Sequence, residues 1–100
     1  MAISPRFSSL LLEATRAHDI DEALSKLFSE YLELKIAKLE ERRDNLQKKW
    51  GMSFEAFCRQ VQDNSLPKDP FSYEVENDYW EWEEVETLLK HYQGLKNKWM

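Results

Sequence analysis

The chain has 100 residues, of which 42% are hydrophobic and 33% charged, and its formal charge at pH 7 is −5. This size and composition suit a single domain and exclude the collagen-like, disulfide-rich and disordered classes. The acidic balance argues against nucleic-acid binding as the main activity, because affinity for a phosphate backbone comes from Lys and Arg. We find neither a secretory signal nor the roughly 20 apolar residues of a membrane span, so we expect a cytoplasmic protein with no membrane partner.

Turn-forming residues are scarce, since the chain contains two glycines and three prolines. A protein of many strands needs such residues at regular spacing, so we predict an all-α fold. The first element is a short N-terminal helix within residues 1–18. Ser4 can cap it and Pro5 suits its first turn, and apolar residues from Phe7 to Ala14 follow at helical spacing.

A long second helix is predicted over residues 19–50. Asp19 and Glu22 have the spacing of a capping box at its start, and Gly51 is the first residue that could stop it. A helix of this length spans about 46 Å. Its apolar residues cannot all be covered by the remaining helices, so the sequence predicts self-association, with a homodimer as the expected state.

Two further helices complete the predicted architecture. Ser53 can cap a short helix over residues 53–63, and a connector rich in turn formers follows at residues 64–71. Ser72 can cap a last helix over residues 72–99. We expect the two long helices to form an antiparallel hairpin, in which the basic distal half of the second helix lies beside the acidic start of the last one.

The start of the last helix is unusually acidic and aromatic. Residues 74–86 contain seven acids and no Lys or Arg. Tyr79 and Trp82 continue the apolar stripe of this helix, so they are predicted to lie in the core. Tyr73 and Trp80 are seven residues apart and therefore share a face nearly opposite that stripe.

That second face has two interpretations. Tyr73 and Trp80 could pack beneath the short helix or the connector, or they could form a protein-binding surface together with the neighbouring acids Glu76 and Glu84. Tyr and Trp dominate the energetics of protein interfaces, which favours the second interpretation. The predicted partner-binding residues are therefore Tyr73, Glu76, Trp80 and Glu84.

The residues that could carry catalysis are few. His18 and His91 have no neighbouring Ser, Cys or Asp in an arrangement typical of a triad. Cys58 lies on an apolar stripe, where a free cysteine usually fills core space. The chain has no metal-ligand spacing and no glycine-rich phosphate loop. We therefore expect no enzymatic activity, no cofactor and no metal.

Two segments resemble a known class of small prokaryotic proteins. The segments are KKWGMSFEAFCRQV at residues 48–61 and SYEVENDYWEWEEVE at residues 72–86, joined by a proline-bearing connector. Together they resemble the antitoxin-type partners that are encoded beside a compact toxin in two-gene modules. The chain departs from that pattern in having Trp50 before the glycine and Ala56 where a second Glu is usual. The resemblance implies a cognate toxin protein as the partner and assigns no functional residues.

Two hypotheses of function follow. In the first, the protein neutralises an RNA-directed toxin by covering its basic active surface with the acidic aromatic helix. In the second, it is a structural or adaptor protein whose long helix self-associates, and the acidic segment only keeps it soluble. Weak nucleic-acid binding through the basic residues between 35 and 49 is a third possibility, although ion pairs along the helix explain these residues more simply.

Overall fold

The computed structural model describes residues 4–69 and 71–99, and these residues form four α-helices and no strand. The helices are α1 (Pro5–Thr15), α2 (Ile20–Trp50), α3 (Phe54–Gln62) and α4 (Tyr73–Trp99). The predicted all-α fold is confirmed, and α2 and α4 form the predicted antiparallel hairpin. Helix α1 ends three residues before His18, where the predicted first helix ends. Residues 1–3 of that predicted helix and Pro70 of the predicted connector lie outside the described residues.

Local capping determines where the helices begin. The hydroxyls of Ser4, Ser53 and Ser72 each accept a hydrogen bond from the backbone N–H three residues later, as the sequence predicts. At the start of α2 the Glu22 N–H donates to Asp19 Oδ1 at 2.8 Å. The Glu22 carboxylate in turn accepts a hydrogen bond from the N–H of His18 at 3.0 Å. In a standard capping box it would accept from the N–H of the cap residue itself, here Asp19, which is one residue later.

Gly51 ends α2 by adopting a left-handed backbone conformation, with φ at +68°. Its N–H donates to the carbonyl of Gln47 at 2.7 Å, which satisfies one of the last carbonyls of the helix. An L-residue at this position would be strained by its Cβ, whereas glycine is not. The single turn between α2 and α3 therefore depends on this residue.

The chain divides into two compact units, residues 1–34 and 35–100. The expectation of a single domain stays a prediction. The first unit contains α1 and the beginning of α2, where Lys26 Nζ donates to the carbonyl of Thr15 at 3.3 Å and Ala23 is fully buried. Helix α1 contributes no buried residue.

The second unit has a core with two clusters. The first is aromatic: the ring centroids of Phe54 and Phe57 lie 5.4 and 5.2 Å from that of Trp82, and Trp50 lies 5.0 Å from Phe57. The buried members of the first cluster are Leu46, Phe57, Leu66, Val75 and Trp82. The second cluster is aliphatic, and its buried members are Ile36, Leu39, Val85 and Leu89. Both clusters join α2 to α4, so they hold the hairpin together through apolar burial.

Ion pairs follow the same seam between α2 and α4. Arg42 Nε lies 3.6 Å from Glu81 Oε1, and Lys49 Nζ lies 3.1 Å from Glu74 Oε1. Lys49 also pairs with Asp78 at 2.6 Å. The basic half of α2 thus faces acids of α4, as the antiparallel arrangement predicts. Over the described residues, none of the helices has the length and apolarity needed to cross a bilayer.

Candidate partner-binding surface on helix α4

The four predicted partner-binding residues all lie at the surface of α4. Tyr73 is 83% exposed and Trp80 is 60% exposed, and Glu76 and Glu84 are also exposed. The alternative in which Tyr73 and Trp80 are packed under α3 or the connector does not fit these exposures. The predicted role in binding stays a prediction.

Helical geometry explains why these residues share one side. Positions 73, 76, 80 and 84 are separated by three or four residues, so their side chains follow one another along one face of the helix. The buried positions of the same helix are Val75, Asp78, Trp82, Val85 and Leu89, which form the stripe that faces the core. The exposed aromatic side chains are therefore positioned by burial of the opposite stripe.

A groove runs between this face and the end of α3. It has a volume of about 310 Å³. Its lining residues are Val61, Phe71, Val75, Glu76, Tyr79 and Trp80. Phe71 is 88% exposed, and sequence analysis assigned it only to the connector. Phe71 could have been identified from the sequence as a candidate surface residue, because it is a large apolar residue in a connector and belongs to no helical stripe.

A second groove lies further along α4 and has a volume of about 430 Å³. Its lining residues are Trp80, Glu83, Glu84, Thr87 and Leu88. Trp80 therefore forms a wall common to both grooves. We call the residues around it the acidic aromatic surface, comprising Phe71, Tyr73, Glu76, Trp80, Glu83 and Glu84.

Packing against a neighbour supports the orientation of Trp80. The ring of Tyr79 meets that of Trp80 edge to face, with centroids 5.5 Å apart. Tyr79 is itself half-buried and packs 6.0 Å from Phe54 of α3. An exposed aromatic side chain held in this way loses less conformational freedom when a partner covers it.

The seven acids of residues 74–86 divide into two groups. Glu74, Asp78 and Glu81 pair with basic residues, as described above, and Glu74 is also paired with Lys68 of the connector. The other four are Glu76, Glu83, Glu84 and Glu86, and no salt bridge found within residues 4–69 and 71–99 includes them. Three of these four, all except Glu86, belong to the acidic aromatic surface, so this surface carries negative charge that the hairpin does not neutralise.

Glu83 shows that this charge acts on its surroundings. Its negative charge is the main cause that raises the pKa of the Tyr79 hydroxyl, with burial adding to it. Burial raises the pKa of the Cys58 thiol, and the charge of Glu83 raises it further. Both groups are therefore kept protonated, which fits a packing role for Cys58 rather than a nucleophilic one.

No cluster of three or more His, Cys, Asp or Glu that could hold a metal ion occurs in the part of the chain that the structure describes. The ring of His91 packs edge to face on Tyr92, with centroids 5.2 Å apart, and His18 is exposed.

Comparison of the chain with protein-family models, with curated proteins and with solved structures gives no match.

Proposed function

We propose that the protein is a binding module that holds a basic partner protein on its acidic aromatic surface, and that it acts as an antitoxin-type protein neutralising a cognate toxin. The observation that supports this proposal best is Trp80, a large aromatic side chain that is 60% exposed between two grooves. The hairpin does not need this exposure for its own packing, because Trp82 fills the core position beside it.

The composition of the surface suits an interface. Phe71, Tyr73 and Trp80 supply large apolar area, and binding energy in protein complexes is concentrated in such side chains. Grooves on both sides of Trp80 could accept side chains of the partner, so that water is excluded around the tryptophan. A centre of this kind, surrounded by charged residues, is the arrangement typical of a hot spot with a polar rim.

The charge of the surface favours a basic partner. Glu76, Glu83 and Glu84 attract a positive surface during approach, and this attraction raises the association rate more than it raises the affinity. A toxin that acts on RNA needs a basic surface to bind phosphates. The resemblance of residues 48–61 and 72–86 to antitoxin-type proteins supports the same identification.

Growth rescue tests the proposal. The open reading frame beside the gene would be expressed alone and together with this protein. We expect arrest when it is expressed alone and growth when this protein is present. Absence of rescue, or an adjacent product without effect on growth, would overturn the antitoxin assignment.

A variant pair connects rescue to the surface. Trp80→Ala should lose rescue while the protein still accumulates in the cell. Phe7→Ala is the matched control, because Phe7 is also a half-exposed aromatic residue but lies on α1. If both variants rescue growth equally, the partner does not bind at Trp80.

A further inference from the structure

The second groove of α4 combines an exposed indole with two carboxylates. Its lining residues are Trp80, Glu83, Glu84, Thr87 and Leu88, and its volume is about 430 Å³. All of them belong to one helix, so their relative positions follow from helical geometry. The groove on the other side of Trp80 is lined mainly by apolar and aromatic residues and by a single acid. The two sides of Trp80 therefore offer different chemistry.

Both carboxylates of this groove lie one helical turn beyond the indole. Glu83 and Glu84 follow Trp80 by three and four residues, which are the two spacings that make side chains neighbours on a helix surface. The Cα–Cβ bonds of a helix tilt towards its N-terminus, so these two side chains leave the backbone in the direction of Trp80. A cation on the face of the indole would therefore lie close to both carboxylates.

The fold leaves these two negative charges without a partner. Within residues 4–69 and 71–99, no salt bridge includes Glu83 or Glu84. The charge of Glu83 acts on its surroundings instead, since it raises the pKa of the Tyr79 hydroxyl. Glu84 also lines a groove that contains bases of α2, and one of these, Arg42, is paired with Glu81.

Desolvation restricts what can cover this groove. A partner that covers Trp80 also removes water from Glu83 and Glu84, and a desolvated carboxylate without a counter-charge is strongly unfavourable. An apolar side chain would leave both charges in that state. Ca²⁺ or Mg²⁺ would need about six oxygen ligands, whereas Trp80 and Leu88 form apolar walls. The occupant must therefore be an organic cation with an apolar part.

We infer that this groove is the subsite for one arginine side chain of the partner protein, an inference that rests on the proposed function. A guanidinium is planar, stacks on aromatic faces and donates to carboxylates through a fork of N–H groups. The methylene groups of arginine fit against Leu88, next to the hydroxyl of Thr87. The ammonium of lysine is more strongly hydrated and has no planar face to stack on Trp80.

A nuclear magnetic resonance titration of the isotope-labelled full chain tests the subsite. The probe is N-acetylarginine methylamide, and the readout is the indole N–H resonance of Trp80, which is identified as the one that Trp80→Phe removes. Sodium chloride keeps the ionic strength constant. We expect a saturable shift with half-saturation on the order of 10 mM, because one cation–π contact and exposed ion pairs are weak.

Two analogues of the probe test its chemistry. The citrulline analogue has nearly the same shape as the arginine probe but carries no charge, so it should give no saturable shift. The lysine analogue keeps the charge and loses the planar group, so it should bind at least about threefold more weakly. Equal shifts with citrulline, or equal binding of lysine, would overturn the assignment to arginine.

A pair of variants separates contact in the groove from the general attraction of an acidic surface. Glu84→Gln should raise the half-saturation concentration by about three- to fivefold. Glu86→Gln is the matched control, because Glu86 is another acid of α4 outside the salt bridges found in the described residues, but it does not line the groove. It should change the value by less than about 1.5-fold. Unchanged indole resonances of Trp50 and Trp82 establish that both variants remain folded.

Equal weakening by Glu84→Gln and Glu86→Gln would show that binding follows net charge, and would overturn the inference. An arginine probe that gives no saturable shift of Trp80 would overturn it as well, even if growth rescue succeeds. Specific binding of the arginine probe without rescue would support the subsite and reject only the antitoxin assignment. Failure of the subsite and failure of the proposed function are therefore distinguishable.

Discussion

Trp80 and Trp82 are two residues apart on α4, yet the first is 60% exposed and the second is fully buried. Two residues correspond to a rotation of about 200° around the helix axis, so the two indole rings point to opposite sides. Trp82 packs against Phe54 and Phe57 of α3, and Trp80 separates two surface grooves. The same type of side chain, tryptophan, thus packs in the core at position 82 and lies in a candidate interface at position 80.

Alanine substitution should therefore have opposite consequences at these two sites. Trp82→Ala should lower the free energy of unfolding by about 3–5 kcal/mol, as the loss of a large buried aromatic usually does. Trp80→Ala should change it by no more than about 0.5 kcal/mol, which is usual at exposed positions. It should instead weaken the partner complex by about 2 kcal/mol. Urea denaturation measures the first two values and calorimetric titration the third.

Equal destabilisation by the two substitutions would show that Trp80 belongs to the core. Trp82→Phe serves as a milder control, because it keeps an aromatic ring in place. It also removes a buried indole N–H that has no hydrogen-bond partner in the described part of the chain.

Much of this fold could be predicted because its signals are local. The Ser4, Ser53 and Ser72 caps depend on residues three positions apart, and the sides of α4 follow from helical rotation. The sequence therefore separates Trp80 from Trp82 without any knowledge of tertiary contacts.

Features that depend on the register of the hairpin could not be predicted in the same way. From the sequence, Asp78 is one of several acids on the flanks of α4. In the structure its side chain is buried and accepts a hydrogen bond from Trp50, which lies almost thirty positions earlier in the chain. A stripe of apolar residues likewise does not reveal which of its members another element covers, and Leu24 and Leu27 of α2 are 44% and 37% exposed. Both outcomes depend on which elements lie side by side, and single-helix periodicity does not contain that information.

Asp78 should be the most sensitive acid of α4. It is 5% exposed, accepts a hydrogen bond from Trp50 Nε1 at 2.9 Å and pairs with Lys49. Asp78→Ala leaves the indole N–H without its acceptor and should cost about 1–3 kcal/mol of unfolding free energy. Asp78→Asn keeps an acceptor and should cost less. Glu76→Ala, on the exposed side of the same helix, is the control that should change stability little.

If Asp78→Ala proves as harmless as Glu76→Ala in urea denaturation, the contacts of Asp78 do not stabilise the hairpin.

The pairing of Glu74 should make stability depend on pH in the acid range. Its hydrogen bond with Lys68, and then that with Lys49, lower the pKa of this carboxyl below its ordinary value of 4.5. A carboxyl with a lowered folded-state pKa stabilises the fold above its unfolded-state pKa, and the contribution disappears as pH falls through the folded-state value. Glu74→Gln should therefore be less stable than the unsubstituted chain at pH 7, and the difference should shrink below pH 4.5.

Denaturation curves at neutral and acid pH measure this difference, with the experiment repeated at high salt. Because the pair is exposed, salt should reduce the effect at pH 7. A difference that is independent of both pH and salt would mean that Glu74 acts through packing rather than through its charge.

Cys58 should react slowly with thiol reagents. Burial raises the pKa of its thiol above the ordinary value of 9.0, and the charge of Glu83 raises it further, so little thiolate is present at neutral pH. The rate of reaction with a chromogenic disulfide should be at least about tenfold lower in the folded chain than in the urea-unfolded chain. Glu83→Gln should increase the folded-state rate modestly, because burial is the larger cause. Glu84→Gln removes a charge of the same kind one residue away, and should leave the rate unchanged. A folded-state rate above that of the unfolded chain would show an activated thiol and would contradict the packing role of Cys58.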